Sequence, residues 1–286
     1  MRVGVRHVTR LTYSAPVSEE LLETRLGPLS DADQRWERFE LRVRPTGMLR
    51  PYVDGFGNSG YIVTLAGTHE FIELTAESVV TTLVSSPSAR KEPARQLSPL
   101  ERFDFLLASR LATIDPSVAE LAEPHRLAVE EGAFAASQGL SHTIHGLLDY
   151  RPGMTDTGTT AVEALQGGGG VCQDFSHLLI AACRSVGIPA RYVSGYLIDG
   201  DPAAGDETRE GWRRLPPPGA SHSWVETFSL DHGWRGLDPT HDTLVDDRYV
   251  KMAVGRDYAD VPPTRGVFRG AAASELAVEV TTQPLD

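Results

Sequence analysis

The chain has 286 residues, of which 41% are apolar and 23% charged, a composition typical of one large globular domain or two smaller ones. Its net charge of −12 argues against a nucleic-acid partner or an anionic membrane surface. The first twenty residues contain no apolar run of signal-peptide length and no later segment resembles a membrane span, so we expect a cytoplasmic protein without a membrane partner.

The beginning of the chain has the pattern of a β-rich domain. Short runs rich in Val, Ile, Thr, Tyr and Phe lie between turn residues, at 3–13, 36–43, 60–65 and 70–84. The cluster Asp54-Gly55-Phe56-Gly57-Asn58 predicts a tight turn. Segment 85–99 is rich in Pro, Ser and charge, as linkers are, and we therefore place a small β-sandwich-like domain at residues 1–90.

Residues 91–286 are predicted to form a second domain of helices and strands, which makes the whole chain α+β. Helical spacing covers 99–111, 117–122 and 124–148. The motif core at 149–250 then contains a loop-and-helix approach, a helix, a strand, a polar insert and a hairpin, at 149–171, 172–186, 190–198, 199–220 and 222–238. The tail from 257 to 270 is loop-like, and alternation at 274–282 predicts a last strand that can pair with either domain.

Cys172 occupies a position that favours a reactive thiol. Four glycines stand just before Val171 and Cys172, where they leave the sulfur uncovered, and a helix is predicted to begin at the cysteine. Unsatisfied N–H groups and the helix dipole at such a start stabilise a thiolate. Cys183 lies roughly 16 Å along the same helix, so we expect two free thiols, as in a reducing compartment, with Cys183 in the core.

A base and an acid for this thiol are predicted on one hairpin. Alternation from His222 to Phe228 indicates a strand, Asp231-His232-Gly233 indicates a turn, and residues 234–238 form the return strand. Folding brings Asp238 close to the position opposite His222, where a carboxylate can accept the imidazole N–H and stabilise the imidazolium.

The other histidines are weaker candidates for the base. His177 is turned away from Cys172 on the helix, while His232 and His241 are placed in solvated loops. Neither Cys-x-x-Cys nor His-x-x-x-His spacing occurs, so we expect no metal and no other cofactor.

Three segments carry a family resemblance. GGGGVCQDFSHLLIAACRSVGIPARYVSGYL, SHSWVETF and GWRGLDPTH resemble, in order and approximate spacing, the Cys, His and Asp motifs of the transglutaminase-like superfamily of papain-fold enzymes, in its bacterial type with a β-rich N-terminal region. The resemblance implies nucleophile Cys172, base His222 and orienting acid Asp238. For the oxyanion we favour backbone N–H donors, including that of Cys172 at its helix start, and Tyr150 and Gln173 are the side-chain candidates.

Four aromatic residues are candidates for lining a substrate cleft: Tyr192, Tyr196, Trp212 and Trp224. For Tyr192 and Trp224 we favour packing in the core. The polar insert 199–220 is expected to be an exposed loop beside the site.

The reaction expected from these residues is cleavage of an amide or peptide bond through a thioester. Water as the resolving nucleophile gives a cysteine protease or amidase, which we favour, whereas a lysine amine gives a crosslinking transamidase. A peptide-binding module without turnover is the third alternative. The expected partner is a peptide or protein substrate, and the N-terminal domain leaves room for a homo-oligomer or a partner protein.

Overall fold

The computed structural model describes residues 1–84, 95–198 and 221–285. Its N-terminal sheet is built around one long strand, β1, Arg2–Thr24. From Val3 to Thr9 the odd-numbered residues of β1 are buried, because every second side chain of a strand points to the same face. The other strands of this region are β2 Gln34–Arg44, β3 Met48–Val53, β4 Ser59–Leu65 and β5 His69–Thr82.

Strand β1 is the central strand of a curled antiparallel sheet. Its first half pairs with β5, and its second half, beyond a register shift between Thr12 and Val17, pairs with β4. Two strands from the end of the chain also pair with β1: Thr264–Arg269 in its second half and Ser274–Leu285 in its first half. Within the described residues the sheet has seven strands, and the predicted β-rich region is confirmed.

Near the end of the chain, the structure contradicts the sequence prediction for one segment and assigns the pairing of another. The last strand, left open between two domains, belongs to the N-terminal sheet. The prediction of a loop over 257–270 was wrong for residues 264–269, which alternate too weakly to be recognised as a strand without their partner β1.

The helices come between the two sheets in the chain. The predicted run 124–148 is interrupted at Gly132, whose extended backbone separates two helices. The helices are α1 Pro99–Leu106, α2 Pro116–Ala122, α3 Arg126–Glu131, α4 Ala133–Leu147, α5 Ala161–Gly167 and α6 Cys172–Ser185, with a 3₁₀ turn at Glu123–His125. None of the helices in the described ranges is long and apolar enough to cross a membrane.

The second sheet lies between these helices and the N-terminal sheet. A short parallel pair, β6 Asp149–Tyr150 and β7 Gly169–Gly170, precedes α6. The strands that follow are β8 Ala190–Leu197, β9 His222–Ser229, β10 Gly233–Asp238, β11 Thr243–Leu244 and β12 Tyr249–Gly255. Within the described residues their order is β11-β10-β9-β8-β12. On β9, Val225 packs with the helices, whereas Trp224 packs with Leu29 and Phe56 of the N-terminal region.

Two side-chain amides join the N-terminal region to the outer edge of β12. Gln34 donates to the carbonyl of Lys251 (2.6 Å) and accepts from its N–H (2.8 Å). Asn58, in the predicted tight turn, makes the same pair of bonds with Val254, both at 2.8 Å. The N-terminal region thereby satisfies backbone groups that an edge strand would otherwise leave open.

Candidate active site

Cys172 is the first residue of α6, as predicted, and the turn before it depends on glycine. A side chain at Gly170 would put its Cβ 2.3 Å from the Asp174 carboxylate, so only glycine fits there. The backbone N–H of Val171 donates to that carboxylate at 2.7 Å, and Thr155 donates to the same oxygen at 2.7 Å. Asp174 thus caps the helix at its third residue and fixes the backbone that carries the sulfur.

The surroundings of Cys172 favour its thiolate. Burial by itself raises the pKa of this thiol, but hydrogen bonding and charge from His222, together with Ser223, bring the pKa below its ordinary value. Burial raises the pKa of Tyr150 to about 12, and the Cys172 charge adds a smaller contribution in the same direction.

His222 and Asp238 are brought together by the β9–β10 register. Leu237 pairs with Val225, so residue 240 falls opposite His222, and Asp238 lies two residues away on the same face. Nε2 of His222 is 2.7 Å from Oδ2 of Asp238. Because an ionised carboxylate only accepts, Nε2 carries a proton, and in the neutral ring Nδ1 is the basic nitrogen.

The other ring nitrogen of His222, Nδ1, is not engaged by Asp238 and is the one left to interact with the Cys172 thiol. Burial lowers the pKa of this imidazole, yet the Asp238 charge and hydrogen bond, followed by Cys172, raise it to about 10. Together with the lowered pKa of the Cys172 thiol, this arrangement favours a thiolate and imidazolium pair.

Asp238 receives more donors than the sequence predicts. Its Oδ2 also accepts from Nδ1 of His241 at 2.6 Å and from the Tyr249 hydroxyl at 2.9 Å, while Oδ1 accepts from the N–H of Thr240 at 2.9 Å. Burial raises the pKa of this carboxyl, but His222 and His241 bring it well below its usual range. The placement of His241 in a solvated loop was wrong, because its side chain is buried against Asp238.

Three other residues considered from the sequence have buried side chains that are engaged in packing or hydrogen bonds. Gln173 is buried, and its Nε2 donates to the Asp156 carbonyl at 3.4 Å. Trp224 is fully buried and packs edge-to-face on Tyr249, so its ring belongs to the core rather than to an open cleft. His177 accepts from the N–H of Tyr258, inside the core.

Tyr192 and Tyr196 are also buried, the latter bonded to His7 at 2.7 Å. The insert 199–220, with Trp212, lies outside the described residues. Asp174, His241 and Tyr249 were missed by sequence reasoning. Only Asp174 carried a local signal, its place at the third position of a helix.

Two clusters in the described part of the chain bring metal-ligand atoms within 4.8 Å of one another: His222, Asp238 and His241, and Asp31, Asp33 and Glu226. In the first, the N···O separations of 2.6 and 2.7 Å are hydrogen-bond lengths, shorter than the roughly 3.3 Å between neighbouring ligands of a tetrahedral zinc. In the second, the Lys251 ammonium already contacts Asp31 at 2.5 Å and also Glu226. Hydrogen bonds and ion pairs account for both clusters, and we assign a metal to neither.

Comparison with known proteins connects this site to a family. Residues 128–239 match the transglutaminase-like superfamily, and residues 3–81 match the bacterial transglutaminase-like N-terminal region. An uncharacterised protein of Mycobacterium leprae is 32% identical over 290 residues, covering 98% of this chain and 97% of the relative. A protein-glutamine gamma-glutamyltransferase of Pseudomonas aeruginosa is 28% identical over 106 residues, which are 35% of this chain and 15% of that protein.

The fold also has a counterpart among crystal structures. A candidate cysteine protease from Cytophaga hutchinsonii superposes with a TM-score of 0.70 at 22% identity, covering 100% of this chain and 92% of that one. The predicted α+β architecture, with a transglutaminase-like core and a β-rich N-terminal region, is confirmed. Since both regions match and the M. leprae protein is similar over nearly its whole length, the chain belongs to the transglutaminase-like superfamily.

Proposed function

We propose that this protein cleaves an amide or peptide bond through a thioester on Cys172. The observation that carries the proposal is the position of His222, which is held by Asp238 through Nε2 and has its other nitrogen available to Cys172. The thiolate attacks the carbonyl carbon, and the C=O electron pair moves to oxygen as the tetrahedral intermediate forms. The backbone N–H of Cys172 and the Tyr150 hydroxyl are the proposed donors to that oxygen.

Collapse of the intermediate breaks the C–N bond, and the His222 imidazolium gives its proton to the departing amine. The acyl group then remains on sulfur, and neutral His222 can take a proton from the nucleophile that resolves the thioester. Asp238 is proposed to keep the ring in the correct tautomer and to stabilise its charged form.

Water is the resolving nucleophile that we favour, which makes the protein a hydrolase acting on a peptide or protein. The structural relative from C. hutchinsonii, described as a candidate cysteine protease, supports this choice over the full chain. Transfer to an amine is the second candidate, supported by the shorter match to a protein-glutamine gamma-glutamyltransferase.

Product analysis separates these reactions. Peptides with a blocked amino terminus and either a glutamine side chain or a C-terminal amide would be incubated with and without a primary amine, and the products identified by mass. We expect the free acid as the main product under both conditions, and its loss in Cys172→Ala but not in Cys183→Ala. Amine adducts as the main product would favour transfer, and undiminished turnover by Cys172→Ala would contradict the proposed nucleophile.

A further inference from the structure

One oxygen of Asp238 is shared by three side chains. Oδ2 lies 2.6 Å from Nδ1 of His241, 2.7 Å from Nε2 of His222 and 2.9 Å from the Tyr249 hydroxyl. The Asp238 and His241 side chains are 0% and 2% exposed, so water does not substitute for these contacts. The shortest of the three belongs to His241.

His241 has to act as a donor in this arrangement. Asp238 is ionised, because its pKa lies well below the usual range, and an ionised carboxylate offers only acceptors. Nδ1 of His241 therefore carries a proton whether its ring is neutral or charged. The negative charge of Oδ2 is consequently divided between two imidazole N–H groups and a phenol.

We propose that His241 is a positioning residue that acts on His222 through Asp238, reducing the stabilisation that the carboxylate gives to the His222 imidazolium, whose Nδ1 carries the proton to be released. This inference rests on the proposed function in one respect, the use of His222 as a general acid. An imidazolium facing an undivided buried carboxylate would keep its proton too tightly to pass it to a leaving amine. Because His241 shares Oδ2, less of the carboxylate charge acts on His222, and the His222 imidazolium releases its Nδ1 proton more easily.

The carboxylate does not need His241 for its orientation. The N–H of Thr240 holds Oδ1, and Tyr249 holds Oδ2 from β12. Loss of the His241 donor should therefore strengthen the remaining bond to His222 rather than release Asp238. The titratable groups that face His222 from the surrounding elements are Cys172 from α6, Asp238 from β10, His241 from the loop after it and Tyr249 from β12.

The test compares two substitutions of similar size. Asparagine can place its amide nitrogen where Nδ1 of histidine lies, whereas leucine has no donor. The His222 pKa would be measured by NMR titration of ¹⁵N-labelled histidine, which requires no substrate. We expect His241→Leu to raise the His222 pKa by about one unit, the size expected for loss of one charge-assisted hydrogen bond to Asp238. In His241→Asn, which keeps a donor, the His222 pKa should stay near the wild-type value.

An unchanged or lowered His222 pKa in His241→Leu would overturn the proposal, and so would equal shifts in both variants. If His241→Leu does not fold, the wild-type spectrum still tests the donor, because Nδ1 rather than Nε2 must carry the proton of the neutral His241 ring. A non-protonated Nδ1 would contradict the proposed donor. These readouts are independent of turnover, so a failure of the proposed reaction, seen as activity retained by Cys172→Ala, remains distinct.

Discussion

The two cysteines lie on the same helix in opposite electrostatic surroundings. Cys172 is at the amino end of α6 beside His222, and its pKa is lowered. Cys183 is fully buried in the helix–sheet core, where loss of solvation raises the pKa of its thiol to about 12. The predicted core position of Cys183 is confirmed, whereas the nucleophilic role of Cys172 stays a prediction.

Alkylation should distinguish these thiols. With iodoacetamide at about pH 6 to 7, we expect modification of Cys172 and sparing of Cys183, because only the thiolate reacts. His222→Ala removes the cationic partner and should move the Cys172 labelling curve to higher pH. Peptide mapping after brief labelling provides the measurement, and faster modification of Cys183, or the same curve with and without His222, would be inconsistent with the ion pair.

How far a residue could be predicted depended on whether its signal was local. The helix start of Cys172 and the hairpin pairing of His222 with Asp238 are short-range features, and the structure has both. His241 and Tyr249 reach Asp238 only because the chain turns after β10 and β12 lies nearby. Neither contact has a sequence period, so a sequence reading could only place His241 in a loop.

At the scale of single elements, the start of α6 depends on a cap made by its own third residue. Asp174 accepts from Val171 and from Thr155 through one oxygen, and its Oδ1 has no partner in the part of the chain that is described. Burial raises the pKa of this carboxyl, so holding its charged form at this position costs solvation free energy. A group held in this way next to a proposed nucleophile is expected to contribute to the geometry of the sulfur.

Removal of the cap should affect both stability and reactivity. We expect Asp174→Ala to lower the free energy of unfolding by about 1–3 kcal/mol, through the lost cap bond and the lost Thr155 contact, and to slow Cys172 alkylation. Glu163 is a matched control, since it occupies the same third position in the capping box of α5 and is exposed. Glu163→Ala should cost no more than about 1 kcal/mol and leave alkylation unchanged. Equal effects of both substitutions on alkylation would refute a special role for Asp174.

Strands were predicted best where alternation was strong. The runs at 3–13, 60–65 and 70–84 correspond to parts of β1, β4 and β5. Strand β3 and the second half of β1 were missed, because β3 has mostly exposed side chains and β1 changes partners at its register shift. These strands depend on neighbours that come from distant parts of the sequence.

At the scale of the whole molecule, the N-terminal region and the second sheet are joined by buried polar contacts. Asn58 is the only asparagine of the chain and is completely buried. It bonds both backbone groups of Val254 and also donates to Asp54 at 2.9 Å. Gln34 bonds both backbone groups of Lys251 in the same way. The predicted domain boundary at residue 90 marks a change of composition. The backbone groups at the edge of β12 nevertheless bond to side chains that come before this boundary.

The Asn58 contact should be measurable as stability. We expect Asn58→Ala to lower the free energy of unfolding by about 2–5 kcal/mol, because it leaves a buried N–H and a buried carbonyl of Val254 without partners. Gln138→Ala, an exposed substitution on α4, is the control and should change stability by less than about 0.5 kcal/mol. Urea unfolding followed by tryptophan fluorescence gives both values, and a loss for Asn58→Ala no larger than the control would contradict the importance of this contact.

The proposed reaction requires that Cys172, activated by His222, accepts an acyl group as a thioester. This step can be tested without knowledge of the natural substrate, using 4-nitrophenyl acetate, from which thiolate attack releases nitrophenolate and leaves acetyl on sulfur. We predict a burst of nitrophenolate equal to the enzyme concentration and an acetyl group located by mass spectrometry on the peptide that contains Cys172, both greatly reduced in His222→Ala. Acetylation found instead on Cys183 or on lysine, or a full burst from Cys172→Ala, would contradict the account.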